Sequence, residues 1–178
     1  MSEQSAIIRE IEAAIRNIPD FPKPGIQFKD ITPVLADPRL FAGSVRLLAS
    51  AAGGQRIDAV AGIEARGFIF ASAVALQLGA GFVPVRKKGK LPYKKLEASY
   101  DLEYGTNTIE MHVDAVKPGS KVLLVDDLLA TGGTAAAAAG LLYKVGAEVV
   151  AVSFLVELTF LNGRERLGGH QVRSFIRY

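Results

Sequence analysis

The chain has 178 residues, 49% of them hydrophobic and 22% charged, with a formal net charge of +3 and no cysteine. That balance excludes a disordered polyelectrolyte, and the missing thiols exclude disulfides and thiolate chemistry. The mild positive charge suits a small anionic ligand and gives little support for nucleic acid as a partner.

The length fits one domain, expected over residues 1–178. Met1 to Glu12 mixes acids with apolar residues and does not read as a signal peptide. No apolar stretch reaches the length of a membrane span, so a soluble cytoplasmic protein without a membrane partner is expected. Ile7, Ile8, Ile11, Ala14, Ile15 and Ile18 recur at helical spacing and predict a helix over 3–17. The Pro- and Gly-bearing stretch from Pro19 to Gly25 breaks it. Asp37-Pro38 reads as an N-cap with a first-turn proline, opening a helix to about Ala52. Ile57 to Ile63 predicts a buried strand, Arg66 to Leu78 its crossover helix, and Phe82 to Val85 the next strand.

Residues 86–105 fit neither period. They open with Arg86, Lys87, Lys88 and Lys90 and close with Glu97, Asp101 and Glu103, as expected for a charged lid loop. Thr108 to Val113 alternates like a strand with one wet face. Strand Lys121 to Val125, helix Thr131 to Val145, strand Glu148 to Val156 and an edge strand from Val172 to Tyr178 complete the series. Strands alternating with helices predict an α/β fold, a mostly parallel sheet flanked by helices on both faces. Ligands of such sheets sit beyond the carboxyl ends of the strands.

Two segments carry chemistry at those ends. Val122 to Val125 leads into Asp126-Asp127, then Thr131-Gly132-Gly133-Thr134 and the alanine tract Ala135 to Ala139. A glycine-rich turn before a helix collects backbone N–H groups and about half a positive charge, which suits a phosphate. The adjacent acids suit ribose hydroxyls or a hydrated magnesium ion. The second segment, Glu64-Ala65-Arg66-Gly67, follows the strand that stops at Ile63, and the Arg66 fork suits a diphosphate. Gly62 to Gly67 has P-loop glycine spacing, but Phe68-Ile69 stands where Lys-Ser/Thr is required. Gly79-Ala-Gly81 begins like a dinucleotide fingerprint, with Pro84 where the third glycine belongs. His112 and His170, the only histidines, lie too far apart in sequence to suggest a metal site or a triad.

The gapless acidic-pair motif resembles that of the type I phosphoribosyltransferases. The likeness runs from Phe21-Pro-Lys-Pro-Gly-Ile-Gln-Phe-Lys-Asp30 to Val156-Glu-Leu-Thr159, in the pattern of members that act on adenine. It implies the fold of that family, with a small N-terminal base-binding hood over 1–35 and a flexible lid over 86–105. It also implies magnesium-dependent transfer of ribose 5-phosphate from phosphoribosyl diphosphate to adenine, giving AMP and pyrophosphate, usually by a homodimer. By resemblance, Ala130, Thr131, Gly132, Gly133 and Thr134 hold the 5-phosphate, and Asp126 and Asp127 hold the ribose. Glu64, Ala65 and Arg66, with Arg86, Lys87 and Lys90, hold pyrophosphate. Ile26, Gln27, Phe28 and Lys29 read the base, with Phe28 stacking on it. Family members often carry Arg where Lys29 stands. Glu103 becomes the candidate acid/base, Tyr104 closes the lid, and Mg²⁺ is held mainly through substrate and water, with no dedicated protein ligand. Two rivals remain: a transferase for another purine, and a regulator that keeps the sugar-phosphate site as a sensor. The Phe21–Asp30 segment and Leu102-Glu-Tyr-Gly105 argue against the first, Arg66 and the short N-terminus against the second.

Overall fold

The structure, a computed structural model, describes residues 3–101 and 106–178. It divides into two compact units, Met1–Leu47 and Leu48–Tyr178, the division falling inside a helix.

In the first unit, α1 (Glu3–Ala14) is followed by a small antiparallel ribbon of β1 (Arg16–Pro19) and β2 (Gln27–Asp30). The helix therefore ends earlier than the apolar spacing predicts. Ile18 pairs with Phe28 in the ribbon, a cross-strand pair that overrides the helical period. A short α2 (Thr32–Ala36), unforeseen in the sequence, precedes α3 (Pro38–Ser50). Asp37 caps α3 as expected: its Oδ1 accepts the N–H groups of Arg39 and Leu40 at 2.8 and 2.9 Å.

The second unit is built on a seven-stranded sheet in the order β5-β6-β4-β3-β7-β8-β9. Its strands are β3 (Ala59–Ile63), β4 (Gly81–Lys87), β5 (Lys95–Asp101), β6 (Thr106–His112), β7 (Lys121–Leu129), β8 (Glu148–Glu157) and β9 (Val172–Arg177). β4, β3, β7, β8 and β9 run parallel, whereas β6 and β5 add antiparallel at one side. The crossover helices are α4 (Arg66–Leu78) and α5 (Gly133–Lys144). Side chains alternate across the central strands. Ala59, Ala61 and Ile63 join Val122, Leu124, Val152 and Phe154 in one core, with Ala138, Leu141 and Leu142 of α5. Each fully buried leucine there contributes about 1.5–3 kcal/mol. α4 packs on β3, β7 and β4, so closely that a Cβ on Gly62 would lie 2.6 Å from the Ala71 methyl. Among the described residues, no helix is long and apolar enough to cross a membrane.

The chain leaves β3 toward β4 on one side and β7 toward β8 on the other. The β3–β7 boundary is thus the point where strand order reverses, where open α/β sheets bind ligands. The opposite, amino-terminal edge is tied by two backbone bonds, Gly119 N–H to Gly146 O at 2.7 Å and Glu148 N–H to Ser120 O at 2.9 Å, and by one to a side chain, Lys121 N–H to Asp58 Oδ2 at 2.8 Å.

The stretch 86–105, expected to lack regular structure, is mostly sheet over its described part. β4 continues to Lys87, and β5 pairs antiparallel with β6 from Lys95↔His112 to Asp101↔Thr106. Leu96, Ala98 and Tyr100 do alternate and pack against the core. The intervening Lys95, Glu97 and Ser99 made the run look polar throughout.

Candidate active site

β7 is longer than the sequence suggests and carries both acids inside it. Its pairing with β3 ends at Gly62↔Val125, but its pairing with β8 continues to Leu129↔Glu157. Asp126 and Asp127 therefore stand on β7 just where β3 has stopped. The Asp127 carboxylate is buried and accepts the Arg66 Nε–H at 2.5 Å, joining the start of α4 to the end of β7. Asp126 Oδ1 accepts the Asp127 N–H at 2.9 Å and lies so near Gly67 that a Cβ there would come within 2.5 Å of it. Burial, then the charge of Asp127, pushes the Asp126 carboxyl well above the usual carboxylate range.

The turn that follows, expected to hold a phosphate, leads from β7 into the start of α5. Gly132 has φ +82°, a left-handed conformation that glycine adopts without cost, and caps α5, whose first-turn N–H groups lack helical partners. A Cβ on Gly132 would lie 2.2 Å from the Gly163 carbonyl oxygen, and one on Gly163 would lie 2.2 Å from the Ala130 carbonyl oxygen. The Gly132 turn thus rests directly on the backbone of a neighbouring turn. Ala130 and Thr134 are half-buried, Thr131 is exposed, and Gly132 and Gly133 are buried.

Glu64, Ala65 and Arg66 form the strand-to-helix turn after β3, with a cis Glu64–Ala65 peptide. Glu64 accepts Arg86 Nε–H at 3.2 Å, Arg86 Nη2–H at 3.4 Å and the Lys87 N–H at 3.1 Å. Arg86 Nη1 also donates to the Lys90 carbonyl at 3.0 Å. Burial alone would raise Glu64, but the Arg86 and Lys87 hydrogen bonds and the Arg86 and Lys90 charges hold it below its ordinary value. The structure therefore brings together Glu64, Arg66, Arg86, Lys87, Asp126 and Asp127 through β3, β4 and β7.

Of the remaining expected residues, Ile26 lies just before β2, and Gln27, Phe28 and Lys29 lie on it, in the first unit. Phe28 meets Phe21 edge-to-face at 5.1 Å, and Gln27 accepts from Asn17 at 2.7 Å. Glu103 and Tyr104 lie outside the described residues.

Sequence reasoning missed two buried carboxylates. Glu110, in β6, accepts the N–H groups of Gly89, Lys90 and Leu91 at 3.1, 2.8 and 2.7 Å, and the Lys95 ammonium at 2.5 Å. Glu157, at the end of β8, takes a two-pronged Arg164 contact at 2.6 and 2.8 Å and also bonds Ser174. The signal for Glu157 was present: like Glu64 and Asp126, it ends a buried apolar run. Glu110 gave no such signal, because one acid in an alternating strand reads as a wet-face residue.

A family model described as the phosphoribosyl transferase domain matches residues 31–166. The adenine phosphoribosyltransferase of Acidothermus cellulolyticus is 61% identical over 97% of this chain and 98% of its own length. The crystal structure of adenine phosphoribosyltransferase from Thermoanaerobacter pseudethanolicus superposes with a TM-score of 0.93 at 53% identity, covering 96% of this chain and 99% of that one. The Saccharomyces cerevisiae enzyme, solved with adenine and an imino-altritol bisphosphate, gives 0.91 at 40% identity, covering 96% and 99%. With this likeness spanning nearly the full length of both chains, the protein belongs to the phosphoribosyltransferase family.

Proposed function

We propose that the protein transfers ribose 5-phosphate from phosphoribosyl diphosphate to adenine, giving AMP and pyrophosphate. The observation that carries this reading is the Arg66–Asp127 contact, which joins the turn after β3 to the acidic pair on β7 at one strand-order reversal. Relatives matched over nearly the whole chain are adenine phosphoribosyltransferases.

In this reading, Ala130 to Thr134 take the 5-phosphate at the positive end of α5. Asp126 and Asp127 bind the ribose hydroxyls. As the bond from the ribose C1 to the diphosphate oxygen breaks, negative charge grows on the leaving group. Arg66, Arg86, Lys87 and Lys90 neutralise it. Ile26 to Lys29 read the base and Glu103 handles its proton, both on the strength of the family likeness.

The donor set fits Mg²⁺ bound through substrate oxygens and water. Among the described residues, no three His, Asp or Glu side chains gather to hold a metal. Asp126 and Asp127 would be the side chains available to meet the waters of such an ion. Such an ion supplies charge neutralisation on the diphosphate. A cytoplasmic homodimer belongs to the same proposal, by family likeness.

The test is a purine panel with purified protein and phosphoribosyl diphosphate. Adenine-dependent AMP and pyrophosphate formation supports the reading. Preference for hypoxanthine or guanine overturns the acceptor, and no turnover with any base overturns the reaction.

A further inference from the structure

Glu110 is fully buried, yet it has no place in the reaction described above. Its position follows from the ladder. β4 and β6 are antiparallel with Arg86 opposite Glu110, so the glutamate stands beside the point where β4 turns away. The turn reverses at Gly89, which has φ +83°. There, three successive backbone N–H groups, from Gly89, Lys90 and Leu91, converge on the two oxygens of the Glu110 carboxylate. Lys95 completes its shell at 2.5 Å, itself 3.9 Å from Glu97. Burial would raise the Glu110 carboxyl, but these four donors outweigh it and hold it at about 2, so the carboxylate is ionised under all ordinary conditions.

The segment gathered in this way is the basic one. Lys87 precedes it and Lys90 lies within it, and the Lys90 carbonyl accepts from Arg86. Glu64 holds the entry of the turn through Arg86 and the Lys87 N–H; Glu110 holds its apex. Three charge-assisted bonds to consecutive amides fix a loop far better than solvent does.

We propose that Glu110 is a positioning residue that presents Lys87, Lys90 and Arg86 to the diphosphate by clamping the backbone of residues 89–91. This rests on the reading of these cations as the diphosphate site. It makes Glu110 a determinant of donor affinity, without contact with the donor.

The experiment compares wild type with Glu110→Gln, which keeps the shape but faces N–H donors with an amide, and Glu110→Asp, which keeps the charge on a shorter arm. KM for phosphoribosyl diphosphate is expected to rise about tenfold or more in Glu110→Gln and less in Glu110→Asp. KM for adenine should change by less than about twofold, a split that general destabilisation does not produce. Amide exchange should accelerate at residues 89–91 and stay unchanged in β3 and β7. Unchanged exchange at 89–91 overturns the clamp. Faster exchange with an unchanged donor KM overturns its role in donor binding. A wild type without turnover overturns the reaction and the donor role together, whereas the exchange pattern still decides whether Glu110 holds the turn.

Discussion

Arg66 Nε donates to Asp127 Oδ2 at 2.5 Å, across a sequence separation of 61 residues. The acid is buried and the arginine partly exposed, so the contact joins a fixed strand position to a group that reaches solvent. Charge-assisted bonds of this sort are worth about 1.5–3 kcal/mol. Replacing Asp127 by Asn keeps the shape and one acceptor oxygen. Turnover is expected to fall about 10²-fold or more, with a loss of only about 1–2 kcal/mol in stability. Steady-state kinetics beside urea denaturation would separate the two. Near-wild-type turnover would sink the ribose role.

Two carboxylates should give stability opposite dependences on pH. Glu110 is held from its ordinary 4.5 down to about 2, so its contribution is complete above 4.5 and is lost as pH falls toward about 2. Asp126 is raised above its ordinary 3.8, so its contribution is complete below 3.8 and is lost as pH rises through its folded value. Denaturation midpoints measured against pH should show Asp126→Asn more stable than wild type at neutral pH, with the advantage vanishing below 3.8. Glu110→Gln should flatten the acid limb between 4.5 and about 2.

Gly132→Ala meets two obstacles, a φ of +82° and the Gly163 carbonyl oxygen at 2.2 Å. Gly119→Ala meets only the first, with φ +80° and nothing within 4 Å. The Gly119 substitution is expected to cost about 1 kcal/mol with activity intact. The Gly132 substitution should cost about 3 kcal/mol or more, because backbone must move, and should abolish donor binding. Thermal melts and donor titration distinguish them.

Arg164 bonds Glu157 through two nitrogens and also donates to Val172 O at 3.1 Å and Ser174 Oγ at 2.7 Å. Arg164→Lys cannot reproduce that fork. A loss of about 1–3 kcal/mol is expected in equilibrium unfolding. An unchanged midpoint would show that Arg177, 3.4 Å from Glu157, and Ser174 hold the acid without the fork.

Chelation of divalent ions should abolish turnover, and Mg²⁺ should restore it, without a shift in the melting temperature of the free protein. A large drop in that temperature on chelation would point to a metal held by protein side chains.

The parallel sheet and its crossover helices were legible because buried strands such as Val122 to Val125 are uninterrupted apolar runs, and because Gly79 and Asp37 mark helix ends with definite backbone chemistry. Asp126, Asp127 and the Thr131 turn were legible for the same local reason. The β1–β2 ribbon was not, since the period of Ile11, Ile15 and Ile18 is helical and only pairing with Phe28 decides otherwise. The ion pairs that order the site could not be read either. Arg66 with Asp127, and Arg86 with Glu64, lie far apart in the chain, and only the sheet order makes them neighbours.

The backbone bonds among Gly119, Ser120, Gly146 and Glu148 close the sheet edge opposite the carboxyl ends, away from the acidic pair and the basic turn. That edge is a handle. A fluorophore, an affinity tag or a surface linkage attached there can report on or immobilise the protein without touching the Gly132 turn. New chain termini introduced at Gly119 would leave Arg66, Glu110 and Asp127 in their places.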